Sequence, residues 1–441
     1  MRKSLIFLAV LLVLSVAVLA VGQGMISAMG DDVTITETTL AGDPAAAEGL
    51  TVSLHPTYKY HLEWRTVFSA GADPKPETGF HYSARTLSDV RTGTSSVWMQ
   101  IGGLNFSMSA SGGAVRLDKD TDEMGFVAMV RPAADVATRT QPGEFRTETV
   151  YLRDYYEYYA IYLDVYGSYG QTGQAALSDY FRIPVQEDLQ VEVTVSKDEA
   201  GTVYQVECNT LDGGASVFGY GLFTEQGLFL GLGTEEGESG GTPVDFSEIQ
   251  GGYGIYFIPM EQGVLATDRI ENIYPMDPAA AQFVTLEERF DGNSLLLFTR
   301  EQGTLVLTVL DLENLEPVQR LELPTSETPT VWQQEDLLLL RVYEEGPRLL
   351  ALSMEDGRYH LWLDTPEYQF EDVWYSDPSL SFDGSRLAMA CYENKYNKLS
   401  LCLAVYDETG LTYAGRYAHN ADTFDSDINT YWSDALMLQW E

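Results

Sequence analysis

Carboxylates dominate the chemistry open to this chain, with 66 Asp and Glu against 26 Lys and Arg and only five His. Two loops concentrate them: Asp118-Lys119-Asp120-Thr121-Asp122-Glu123, and Asp422-Thr423-Phe424-Asp425-Ser426-Asp427-Ile428-Asn429. Alternate residues on a turn aim their oxygens inward, which suits a hard cation that takes about six to eight oxygen ligands. Asp118, Asp120, Asp122, Asp425, Asp427 and Asn429 are therefore candidate calcium ligands, and calcium is the only cofactor the sequence suggests. Neither loop is an EF-hand. The sixth position holds Glu123 or Thr430 in place of glycine, and the twelfth holds Met129 or Leu436 in place of glutamate. The competing reading of both loops is solvated surface charge.

A second constellation is aromatic. Tyr156, Tyr158, Tyr162 and Tyr166 alternate along a segment read as strand, with Tyr159, Ile161, Leu163 and Val165 on its other face. An exposed tyrosine ladder stacks against sugars or a peptide at small entropic cost, whereas a buried one packs sheet against sheet. The four tyrosines are candidate ligand-binding residues on the first reading.

Catalysis finds little foothold. His55, His61, His81, His360 and His419 form no HExxH and no pair spaced for a helix-borne metal. No GxSxG elbow and no GxxxxGK[ST] loop occurs, and the Gly-rich stretches around Gly219 and Gly231 lack dinucleotide spacing. A glycosidase needs only two suitably separated carboxylates, so a carbohydrate-active hydrolase stays open as the alternative function. Of the three cysteines, Cys391 and Cys402 flank a polar turn and can face each other across a hairpin. A bridge and a pair of buried small apolar residues are both compatible with that spacing.

The elements that would carry these residues begin with an apolar segment. Arg2 and Lys3 are followed by no charge until Asp31, and Leu5 to Val21 contains one polar residue, Ser15. That run exceeds the roughly 7–15 residues of a signal-peptide core and approaches the roughly 20 of a span, so residues 1–30 read as a retained transmembrane anchor. Cleavage after Ala20 and secretion is the alternative. The positive-inside rule leaves the rest outside the cytoplasm. That extracytoplasmic body carries 24 basic and 66 acidic residues, net −42. So acidic a surface repels phosphate, which excludes nucleic acid and nucleotides as partners.

Beyond a linker at 31–49, short β-branched and aromatic runs alternate with Gly, Pro, Asp and Asn clusters, including Phe126 to Val130 and Tyr151 to Tyr166, and no helical period is apparent. The chain is all-β. In its last third a unit repeats. Phe290-Asp291-Gly292 precedes the runs Ser294 to Thr299 and Thr304 to Leu310; Asp336 precedes Leu337 to Tyr343 and Arg348 to Ser353; Phe382-Asp383-Gly384 precedes Arg386 to Cys391 and Leu399 to Tyr406. Asp291, Asp336 and Asp383 stand 45 and 47 residues apart, the period of four-stranded propeller blades.

The stretch from Pro378 to Ala390 with Leu401 to Asp407 resembles the repeat of TolB-type β-propellers, whose Ser-Pro-Asp-Gly turn here has Phe382 in place of proline. The resemblance covers about a third of the chain and implies blade geometry, not partners. Extended backward, the period gives seven or eight blades. Residues 281–441 are expected to be propeller-like blades, and 50–280 either degenerate blades or a β-sandwich. The resulting reading is a membrane-anchored extracytoplasmic scaffold that binds or senses a protein or cell-envelope ligand.

Overall fold

The computed structural model describes residues 2–55, 57–58, 62–71, 73–82, 96–101, 106–109, 115, 117, 127–159, 161–166, 173–177, 179–211, 216–224, 226–235, 244–261, 264–371, 378–392, 400–420, 428–429 and 436–441. The chain is all-β, built of propeller-like blades behind one N-terminal helix, α1 (Arg2–Met29). At 28 residues this helix is long enough to cross a membrane, and the apolar side chains described between Val10 and Val21 are exposed, Leu12 by 66% and Leu19 by 72%. Two compact units divide the body: residues 1–93 with 329–441, and residues 94–328.

In the first unit two sheets are meanders of consecutive strands. One runs Thr330–Gln334, Leu337–Tyr343, Pro347–Glu355, Arg358–Pro366; the other Ser379–Phe382, Leu387–Tyr392, Ser400–Asp407, Gly410–His419. Their inner strands are buried along nearly every residue, as in Leu337 to Val342 and Ser400 to Tyr406, whereas the outer Arg358–Pro366 is largely exposed or half-buried. Continuous apolar runs mark strands covered on both faces. The 379–419 meander shows how. Leu387 and Met389 pack with Leu339, Leu349 and Ala351 of the preceding meander, while Ala388 and Ala390 pack with Leu50 and Val52. Successive residues thus serve opposite neighbours, which is the stacking of blades.

The N-terminal segment completes this unit. Ile35–Gly42 adds a fifth strand to the second meander, from Ile35 opposite His419 to Gly42 opposite Tyr413, and Leu50–Leu54 lies between Leu62–Ser69 and the C-terminal strand Leu436–Trp440. The expected linker at 31–49 is therefore largely structured: after that strand, Asp43 caps a 3₁₀ turn whose Ala47 is fully buried. An edge strand is held by backbone pairing, so the polar run Thr36-Glu37-Thr38-Thr39 gave no apolar signal.

The second unit holds a third meander, Ala281–Glu288, Ser294–Glu301, Thr304–Asp311, Pro317–Leu323. Its other sheets pair strands distant in sequence. Ser96–Ile101 lies between Ile161–Tyr166 and Ser216–Phe223, and Phe106–Ser109 pairs with Val203–Thr210. Where 126–130 read as strand, the chain forms helix α2 (Val127–Arg139), with Ala133, Val136, Ala137 and Thr140 buried at helical spacing. Small alanines and an internal Pro132 hid that period. The division expected after residue 280 falls at a strand start, but compactness places 281–328 with the second unit: Phe283 packs against Gly231, and its N–H donates to the Tyr253 hydroxyl at 3.0 Å.

Cys391 and Cys402 are paired directly across their hairpin, buried among Leu387, Met389 and Tyr406, and no disulfide joins them. They pack as small apolar side chains.

Candidate functional site

The three repeated aspartates occupy one structural position, the hairpin between first and second strands of each meander. Residues 289–294 join Glu288 to Leu295, Glu335-Asp336 join Gln334 to Leu337, and 383–386 join Phe382 to Leu387. In the last, Gly384 has φ +92°, which favours glycine, and the Asp383 carboxylate accepts from Ser385 N (2.9 Å), Ser385 Oγ (2.9 Å), Arg386 N (2.7 Å) and Arg386 Nε (2.9 Å). Burial works to raise the Asp383 carboxyl, but the donors of Ser385 and Arg386 outweigh it and hold it below the ordinary range. Asp291 repeats the cap with Asn293 N (3.1 Å) and Arg289 Nε (2.8 Å), and the hydrogen bond from Arg289 lowers its carboxyl to about 2.

A cleft opens where three hairpin ends of the first unit meet. Gln334, Glu335 and Asp336 come from one 1–2 hairpin, Phe382, Asp383 and Gly384 from the next, and Ser353, Met354 and Glu355 from the end of the third strand of the 330–366 meander; Trp362 comes from its fourth. The cavity is about 400 Å³. Asp356 and Gly357, with φ +51° and +76°, make the two-residue hairpin beyond Glu355. Trp362 and Phe382 form the aromatic wall, ring centroids 4.9 Å apart at 67°. Phe382 is the residue that stands where the TolB-type turn has proline.

The charge in this cleft is unbalanced. Arg386 leaves through Asp383 toward the carbonyls of Ala46 (3.2 Å) and Glu48 (2.9 Å), its guanidinium 3.9 Å over the Trp440 ring. Elsewhere in the unit, carboxylates hold arginines: Glu344 and Asp364 both reach Arg348, and Glu367 reaches Arg341. Among the described residues no ion pair reaches Glu335, Asp336 or Glu355. The buried Gln334 Oε1 accepts no hydrogen bond. The cleft thus offers acceptors and negative charge around an aromatic wall.

Other sequence candidates fall elsewhere. Asp118, Asp120, Asp122, Asp425 and Asp427 lie outside the described residues; Asn429 is described only as backbone, in a two-residue strand opposite Thr57. Among the described residues no three His, Cys, Asp or Glu are placed to hold a metal. Tyr156 and Tyr158 do not share a strand with Tyr162 and Tyr166, which lie in Ile161–Tyr166. Tyr156 accepts from Arg131 N under its guanidinium (4.9 Å), and Tyr158 donates to Glu248 (2.9 Å) with Arg182 over its ring (4.4 Å). Both rings are thereby engaged within the protein.

In the second unit, the Tyr220 hydroxyl donates to Glu287 Oε1 at 3.3 Å. Burial pushes the Glu287 carboxyl up to about 7. Sequence reasoning found Asp336, Glu355, Phe382 and Asp383 through the repeat, but missed Gln334, which reads as an ordinary strand end, and Trp362, which reads as an ordinary residue in the middle of Arg358–Pro366.

No family model and no curated protein matches the chain. Among solved structures it is similar to a periplasmic gluconolactonase of Pseudomonas aeruginosa (12% identity, 62% of this chain and 83% of that one, TM-score 0.29), to TolB from Acinetobacter baumannii (11%, 88% and 66%, TM-score 0.24) and to a β-propeller domain from Myceliophteria thermophila (14%, 63% and 84%, TM-score 0.23). Likeness this distant decides nothing about activity, and the blade assignment rests on strand order and register.

Proposed function

We propose that this protein is a membrane-anchored, extracytoplasmic binding or sensing module that takes a protein or cell-envelope ligand in the cleft between its hairpin ends. The observation that carries the proposal is the cleft's pairing of an aromatic wall with the carboxylates of Glu335, Asp336 and Glu355, which form no ion pair among the described residues. The exposed apolar helix α1, which opens with Arg2 and Lys3, supports the anchor. A glycoside hydrolase working through a carboxylate pair would need a carboxyl kept protonated beside a carboxylate. Asp383 is instead held as a carboxylate by four donors, which suits a cap.

Two measurements test this. Protease added to intact, wall-stripped cells should degrade the body while α1 stays with the membrane; a protected body, or a mature chain in the medium starting at Val21, overturns the placement. A panel of envelope oligosaccharides and short peptides should contain a ligand whose binding is lost in Trp362→Ala. If no member binds, or none depends on Trp362, the cleft is not the site.

A further inference from the structure

Building on the proposed binding role, we infer that the cleft recognises an organic cation, the ammonium or guanidinium of a basic side chain presented by a peptide. Three independent features of the cleft converge on that class. The first is hydrogen-bonding polarity. Glu335, Asp336 and Glu355 present carboxylate acceptors, and Lys and Arg side chains carry donors only, so the three acidic side chains match a ligand that donates. Gln334 also lines the cleft, and its buried Oε1 accepts no hydrogen bond, which leaves one more unmatched acceptor in that wall.

The second feature is the wall. Trp362 and Phe382 meet edge to face, which leaves aromatic surface at the cavity for a cation to lie against. The unit already uses this contact elsewhere: Arg341 lies 4.8 Å from the Trp332 ring centroid and Arg386 3.9 Å from that of Trp440. The third is the separation of the carboxylates. They come from different hairpins, and among the described residues no three acidic, His or Cys groups converge as a metal ion requires. Charge spread around an aromatic pocket of about 400 Å³ fits a diffuse organic cation better than a point charge. The body's net charge of −42 adds long-range attraction for such a partner and raises its rate of encounter.

Arg358 faces Glu355 across the Asp356-Gly357 hairpin without forming an ion pair with it, and Arg386 is committed to Asp383, Ala46 and Glu48. Neither occupies the cleft's charge.

The test uses the full chain in detergent micelles and four probes followed by saturation-transfer NMR: N-acetyl-Gly-Lys-Gly-amide, its arginine counterpart, the same peptide with acetyl-lysine, and cellotriose. The lysine and arginine peptides should bind saturably, weaken at least tenfold in Trp362→Ala and in the double variant Glu335→Gln/Asp336→Asn, and weaken again when sodium chloride rises from 50 to 500 mM. Glu335 and Asp336 are exposed hairpin residues, so the double variant keeps its fold, checked by an unchanged melting temperature. Acetyl-lysine peptide binding as tightly as lysine peptide overturns the cation assignment. Cellotriose binding lost in Trp362→Ala, with the basic peptides inert, keeps the cleft as a binding site and overturns only the ligand class. Spermidine binding tighter than either peptide, by the same residues, assigns the site to a free polyamine and overturns the peptide as its source.

Discussion

Phe290-Asp291-Gly292 and Phe382-Asp383-Gly384 are the same motif in the first hairpin of two blades, although residues 289–294 make one connection and 383–386 the other, and Phe382-Asp383-Gly384 lines the cleft. Both glycines take positive φ, and both aspartates cap the amide two residues on. The difference lies in the phenylalanines. Phe290 is 62% exposed, whereas Phe382 packs edge to face on Trp362 from the neighbouring meander. A repeated turn motif therefore specifies backbone, and what stands beside it specifies a site.

The largest effect expected to separate the two blades is electrostatic. Glu287, in the strand leading into the 289–294 turn, has its carboxyl raised by burial from 4.5 to about 7. Its contribution to stability is complete below pH 4.5 and is lost as pH rises through 7, because the fold favours the protonated form. Glu287→Gln should thus stabilise the second unit by about 2–3 kcal/mol at pH 8 and change little at pH 4.5, measured by denaturant unfolding at both pH values. Asp383 runs the other way, its contribution present at neutral pH and lost as pH falls through its lowered folded value. An equal gain from Glu287→Gln at both pH values would remove the contrast.

Truncating the two rings compares the neighbours directly. Phe382→Ala should cost about 2 kcal/mol through lost aromatic contact and burial, and Phe290→Ala no more than about 0.5 kcal/mol. Equal melting shifts would mean that the Trp362 contact contributes nothing.

The turns themselves should respond alike. An added Cβ meets nothing within 4 Å at Gly384 and only the flexible Glu288 Oε1 at 3.6 Å at Gly292, so valine at either position pays in backbone strain alone, about 2 kcal/mol. A large difference between Gly384→Val and Gly292→Val would show that packing, not φ, constrains one of them. The smallest contrast is in the caps: Asp383→Ala, which releases four donors, should cost about 1.5 kcal/mol and Asp291→Ala about 1 kcal/mol, and calorimetry reversing that order would reassign the capping strength.

Legibility followed the distance between paired strands. The meanders from 281 onward pair neighbours in sequence, so apolar runs such as Leu337 to Tyr343 and turns such as Phe382-Asp383-Gly384 announced strand, register and period together. Between 94 and 280, Ser96–Ile101 pairs with Ile161–Tyr166 some 65 residues away, and no turn in the sequence records that pairing. The alanine-rich α2 and the polar edge strand Ile35–Gly42 were missed because one buries small side chains and the other is held mainly through its backbone.

By itself the sequence determined the all-β character, the apolar N-terminal helix, the acidic charge and the recurrence of an Asp-bearing hairpin, because each depends on residue type and local spacing. Only the tertiary structure decided that Gln334, Asp336, Glu355, Trp362 and Phe382 share one cleft while Tyr156 and Tyr158 spend their hydrogen bonds on their own protein. A cleft forms where hairpin ends of successive blades approach, and that approach is set by the packing of buried faces such as Leu339 and Leu349 against Leu387 and Met389, which no single strand encodes.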